Sequence, residues 1–227
     1  MVWRAALAAA MLVAGAGTNA AEHLHPPPTV LAPGYAALEF TAPAPGSYQL
    51  PPLNAAADGP LLDDAGRSKR LYDYLGDRIV LLSFIYTTCS DVNGCPFASY
   101  VLKRVQDRVL TEPGMRDQLR IVSISFDPAH DTPAVMAAYG ARLRAPGFEW
   151  EFLTGASDAS LQGVLDTYDQ SVIRDESGAI SHILRVLLID RQRRVRNIYS
   201  VSFLHADTVL RDVQTLLLEG PSPNAVH

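Results

Sequence analysis

Cysteine is almost missing: the 227-residue chain holds only Cys89 and Cys95, too few for a fold stapled by several disulfides. An excess of positive charge is missing too. Nineteen Lys and Arg stand against 24 Asp and Glu, a formal charge of −5, and the basic residues are scattered, so no nucleic-acid surface is expected. No run of eighteen apolar residues lies in the body of the chain, which argues against several membrane spans. No internal repeat is evident. What is present, 48% apolar and 19% charged residues, fits one main globular domain with a substantial core.

The N-terminus differs in character. Arg4, the apolar run Ala5 to Gly17 and the small residues Thr18-Asn19-Ala20 read as a signal peptide over residues 1–20, or as a retained N-terminal anchor that tethers the protein to a membrane. The expected location is periplasmic or otherwise exported. No cysteine follows the run to carry a lipid. If cleavage falls after Ala20, the new terminus Ala21-Glu22-His23 has histidine third, an arrangement suited to square-planar Cu(II) or Ni(II); a solvated tail is the plainer reading. Residues 21–52 are rich in Pro and Ala and read as an extended linker, with Tyr48-Gln49-Leu50-Pro51 as a short edge strand. The main domain is expected over 53–220, with 221–227 as a tail.

Within the domain, Leu61 to Leu71 around Asp64-Ala65-Gly66 predicts a hairpin. Ile79 to Tyr86 is short and continuously apolar, as in a strand buried on both faces. Apolar spacing from Phe97 to Leu110, with Pro96 at a first helical position, predicts a helix that puts Cys95 at or near its N-cap. A strand over Leu119 to Ser125 follows, and Asp131-Thr132-Pro133 caps the next helix. A strand near Phe152, a helix near Leu161 to Tyr168, paired strands Leu184 to Asp190 and Val195 to Val201, and a helix over Asp207 to Leu218 complete the order. This predicts an α/β fold, a mixed sheet flanked by helices with an N-terminal hairpin extension. Sites belong at the C-terminal ends of its parallel strands.

The cysteines occupy one short loop at such a place. A structural disulfide is one reading, but it would close only a six-residue step; a redox or metal role is favoured. Backbone N–H groups and the dipole at a helix start favour thiolate, the form that binds soft metals and attacks disulfides. The span alone permits the sulfurs to meet without forcing it. The intervening Asn93-Gly94 pair, suited to positive φ, favours approach.

Phe84-Ile85-Tyr86-Thr87-Thr88-Cys89-Ser90-Asp91-Val92, then Cys95-Pro96, resembles the strand and metal loop of the Sco/SenC family of copper-handling thioredoxin-like proteins. Ser125 to Pro133, the Leu153-Thr154-Gly155 turn, and His182 ahead of Leu187-Leu188-Ile189-Asp190 resemble it further, in order, over about residues 53 to 218. The resemblance implies a thioredoxin-like fold, with Cys89, Cys95 and His182 as ligands for Cu(I) or Cu(II). It also implies a copper-receiving partner, an oxidase subunit, in cytochrome c oxidase assembly. Two thiolates and an imidazole suit copper, whereas zinc wants a fourth ligand. The alternative is a thiol-disulfide reductant in which Cys89 and Cys95 are the redox pair, served by a reductant partner of its own. Peroxidase chemistry is weaker, because the Pro-x-x-x-Thr-x-x-Cys arrangement of peroxiredoxins is absent.

Two departures from the family stand out. The loop holds five residues between its cysteines where three are usual. The added closure cost is about 0.4 kcal/mol, small beside roughly 10 kcal/mol for a tight metal site. Ser181 replaces an acidic neighbour that can orient His182. Asp91 reads as a loop cap or, less readily, a weak ligand; His130 as bonded to backbone; His205 and His227 as surface residues.

Overall fold

The computed structural model describes residues 34–220 except 113 and 177, together with Met1 and Ala32. Residues 2–20 of the expected signal segment, His23 and His227 lie outside the described residues. In chain order the elements are β1 (Asn54–Ala55), β2 (Pro60–Leu62), β3 (Ser68–Arg70), β4 (Ile79–Ile85), α1 (Cys95–Val109), β5 (Leu119–Ser125), α2 (Pro133–Ala141), β6 (Trp150–Leu153), α3 (Asp158–Thr167), β7 (Val172–Arg174), β8 (Ile180–His182), β9 (Val186–Ile189), β10 (Arg194–Tyr199) and α4 (Ala206–Leu218).

Six strands form one sheet in the order β1-β10-β9-β4-β5-β6. β4, β5 and β6 run parallel; β9 pairs antiparallel to β4, and β10 to β9. β2 and β3 form the expected hairpin. The predicted edge strand at Tyr48 to Pro51 does not form. Prolines flank that stretch, and the sheet edge is instead closed by Asn54 and Ala55, which pair with β10.

β4 is buried along its whole length because helices cover both sheet faces. Ile79, Leu81 and Ile85 enter the cluster under α1, α2 and α4, while Val80, Leu82 and Phe84 face the cluster under α3. Ser83 interrupts the apolar run without penalty. Its hydroxyl bonds Ser123 Oγ at 2.8 Å, and Trp150 Nε1 donates to Ser123 Oγ at 3.0 Å, so the buried polar groups are paired.

Residues 34–53 contain no helix or strand, yet several of their side chains are seated on the domain. Tyr35 stacks on His205 with ring centroids 4.6 Å apart and also meets Phe97 and Tyr100. The Tyr48 hydroxyl donates to Asp212 at 2.5 Å, and the Leu50 carbonyl accepts from Arg196 at 2.5 Å. His205 is accordingly no surface residue: its side chain is 12% exposed, and its Nδ1 caps α4 by accepting from the Asp207 N–H.

Candidate metal centre

The parallel order of β4 and β5 sends both strands to one end of the sheet, where the cysteine loop leaves β4. β9 runs the opposite way, so the segment before it arrives at this same end. That segment carries His182. The sequence placed this histidine in a turn, but it stands on β8, in a small sheet made only of β7 and β8. The alternation along both strands explains the pairing: Val172, His182 and Ile180 turn inward, while Ile173, Ser181 and Ile183 are exposed.

Cys89, Cys95 and His182 meet, with ligand atoms all within 4.8 Å of one another. Cys89 Sγ lies 3.9 Å and Cys95 Sγ 3.6 Å from His182 Nε2. Bonds of about 2.3 Å to sulfur and about 2.0 Å to imidazole, spread at about 120°, would put sulfur and nitrogen about 3.7 Å apart. The donor set therefore fits a soft, three-coordinate ion with little movement. Neither cysteine is in a disulfide; Cys89 is half-buried and Cys95 buried.

The loop folds back by a route different from the expected one. Neither Asn93 nor Gly94 takes positive φ; Gly94 sits at φ −95°, ψ −129°. Glycine is needed there for room, because a Cβ would stand 3.1 Å from Cys89 Sγ and 3.2 Å from the Asp91 carbonyl oxygen. Asp91 is the loop cap: its Oδ1 accepts from the Asn93 N–H at 3.0 Å. It does not join the ligand cluster.

Cys95 begins α1, and Gly94 before it supplies no capping side chain. Of the N–H groups at this helix start, that of Cys95 is turned to the sulfur of Cys89. The electrostatic advantage is not shared between the two thiols. Cys89 is pulled down to about 3, first by the Cys95 thiol donating to it, against the opposing effect of burial, then by His182, the Cys95 N–H and the Tyr86 hydroxyl. Cys95 is pushed up, because its proton is held between the two sulfurs and it is buried. One sulfur is the thiolate and the other keeps its proton.

His182 packs edge-on to Tyr86, with centroids 5.4 Å apart, and lies 5.1 Å from the ring of Phe126. Its Nδ1 is buried and has no hydrogen-bond partner among the described residues. Ser181 is not responsible, since strand alternation turns position 181 to the opposite face. His130 bonds through Nδ1 to the Asp131 carboxylate at 2.9 Å, not to backbone as expected. Sequence reasoning missed Tyr86, Phe126 and Asp131 as neighbours of the site: Tyr86 reads as the end of a strand, Asp131 as part of a cap, and Phe126 only as part of the stretch that resembles the family.

The SCO1/SenC family model matches residues 54–218. The chain belongs to the SCO1/SenC family. A curated relative of this SCO1/SenC chain, the SCO1 protein homolog of Bacillus subtilis (strain 168), is 24% identical over 153 residues, 66% of this chain and 76% of the relative. Among solved structures, Arabidopsis thaliana ScoI with copper bound aligns with a TM-score of 0.59 and 22% identity, covering 70% of this chain and 98% of that one. BsSco, described as having a disulfide switch and as a member of the Sco family of cytochrome c oxidase assembly proteins, aligns with a TM-score of 0.59 and 23% identity over 73% and 95%. These alignments match the mixed sheet and flanking helices to the thioredoxin-like fold that the resemblance implied.

Proposed function

We propose that this protein binds copper through Cys89, Cys95 and His182 and passes it to a copper centre of an oxidase during cytochrome c oxidase assembly. The carrying observation is the convergence of two sulfurs and one imidazole nitrogen at 3.6–3.9 Å sulfur-to-nitrogen spacing, brought together from a loop and a separate hairpin. Two soft donors and an imidazole favour Cu(I), and a site with three ligands leaves an approach open for a recipient's ligand. Family membership and the plant relative with copper bound support the choice of metal. Copper is cargo in this reading: Cys89 offers a ready thiolate, and Cys95 gives up its proton on binding. Residues 1–20 direct export to the periplasm or an equivalent compartment, where the recipient faces the protein.

The test is titration of the reduced protein with Cu(I) and Cu(II), repeated with His182→Ala. Loss of a third of the donor set weakens wild-type binding at least tenfold. Equal affinity of the two proteins sinks the three-ligand reading.

The unequal thiols favour a second reading, a disulfide reductant acting on a partner metalloprotein. The Cys89 thiolate attacks the partner's disulfide and one partner sulfur leaves; Cys95 then loses its proton and attacks Cys89, releasing the second partner sulfur. The partner gains two electrons and ends as a dithiol, Cys89–Cys95 ends as a disulfide, and a separate reductant must restore it. In this role His182→Ala leaves exchange in place, changed only as far as His182 helps Cys95 to hold the Cys89 thiolate.

A further inference from the structure

β7 and β8 share no ladder with the six-stranded sheet. His182 therefore rides on an arm whose placement depends on side-chain contacts rather than on backbone pairing with β4 or β5. Val172 pairs with His182 and Arg174 with Ile180, so Arg174 shares a face of the arm with His182, at its more exposed end. Val172 and Ile180 pack on the apolar cluster under α3. Such contact is non-directional and does not fix the arm along its length.

A directional contact is also present. The Arg174 guanidinium meets Asp127 Oδ1 at 3.0 Å, donates to the Phe126 carbonyl at 3.1 Å and lies 3.6 Å from Asp158 Oδ1. Asp127 is nearly buried, with its side chain 11% exposed. From there a chain of polar contacts continues to the other half of the metal centre. The Asp127 N–H donates to Ser125 Oγ at 3.0 Å, and the Ser125 hydroxyl donates to Asp131 Oδ2 at 2.5 Å. The fully buried Asp131 accepts the Thr87 N–H at 2.9 Å and the Thr87 hydroxyl as well. Thr87 stands two residues before Cys89. The arm with the histidine and the loop with the cysteines are thus tied to one anchor, the C-terminal end of β5.

We propose that Arg174 is the positioning residue for His182: by clamping the arm to Asp127, Asp158 and the Phe126 carbonyl, it holds the imidazole at ligand distance from the two sulfurs. This rests on the reading of His182 as a copper ligand. All three contacts converge on one nitrogen, Nη2, so a lysine ammonium placed there can restore part of them. The energy of the ion pair is secondary. What the clamp fixes is where Nε2 stands, and losing a group that supports a ligand typically costs about 10–100-fold in metal affinity.

The test is a double-mutant cycle. Cu(I) affinity is measured by competition with a chromophoric Cu(I) chelator for wild type, Arg174→Met, His182→Ala and the double variant, with Arg174→Lys alongside. The expected result is about tenfold weaker binding for Arg174→Met, no further loss in the His182→Ala background, and partial recovery with lysine. Cys89 still reacts with iodoacetamide at pH 6 in Arg174→Met, because the Cys95 thiol, the first of the groups that hold it as thiolate, is not on the arm. Equal losses in both backgrounds mean that Arg174 acts on the fold at large, and they overturn the positioning role. Wild-type affinity in Arg174→Met overturns it too, while the copper site stands. Wild-type affinity in His182→Ala removes His182 from the ligand set, and the proposal falls with it.

Discussion

Cys89 concentrates the chemistry of the site at the scale of one residue. A folded pKa of about 3 against an ordinary value of 9.0 means that the native state releases a proton that the unfolded chain keeps. For a group depressed in this way, the stabilisation is fully present above the unfolded value and is lost as pH falls toward the folded one. Cys95 has the opposite sign: it retains its proton, so its contribution is complete below the ordinary thiol value and fades above it. The reduced protein is therefore expected to gain stability as pH rises from about 4 and to reach a maximum near the ordinary thiol range. Urea unfolding of wild type and Cys89→Ser across that range checks this, with the acid-side slope flattening in the variant. Iodoacetamide should modify Cys89 at a rate nearly constant from pH 5 to 8 and leave Cys95 untouched. A rate that climbs with pH as for a free thiol contradicts the assignment.

The start of α1 and the β7–β8 hairpin were not equally legible in the sequence. The helix start was legible, because Pro96 and the apolar spacing after it fix where the helix begins. The role of Gly94 was not, because a glycine selected for space looks the same in sequence as one selected for positive φ. Gly94→Ala separates the two. A Cβ 3.1 Å from Cys89 Sγ forces the loop away from the helix N-terminus. Cys89 alkylation at pH 6 should fall several-fold, while the thermal melt shifts by no more than the roughly 1 kcal/mol that separates alanine from glycine caps. An unchanged alkylation rate means that the loop absorbs the methyl without moving the sulfur. The hairpin was hidden for another reason: each strand is three residues long, too short for alternation to be distinguished from a turn. His182 was picked out only by family resemblance, and its aromatic neighbours Tyr86 and Phe126 converge on it through β4 and β5, a proximity that a linear sequence does not carry.

Across the whole molecule, the fold class followed from runs such as Ile79 to Tyr86 and Leu119 to Ser125, whose largely apolar character on both faces is imposed by helices covering both sides of the sheet. The segment before β1 was opaque, because its contacts come from isolated residues without a period. The folded unit is expected to begin earlier than the family match. A chain lacking residues 1–53 deprives the buried Asp212 of the Tyr48 hydroxyl and the buried Arg196 of the Leu50 carbonyl. At about 1.5–3 kcal/mol for each bond to a charged group, the loss is about 3–6 kcal/mol. Comparison by urea unfolding with a chain lacking only residues 1–33 measures it directly. Equal midpoints would show that the segment merely lies on the surface.

The buried, unpartnered Nδ1 of His182 has a kinetic meaning. A ligating imidazole is normally braced by an acceptor at its other nitrogen, which raises its basicity and tightens the metal bond. No such acceptor stands there among the described residues. Affinity differences within one kind of complex reside mostly in dissociation, so an unbraced histidine shortens residence time. In the proposed transfer of copper, the bond to His182 would be the natural first one to open.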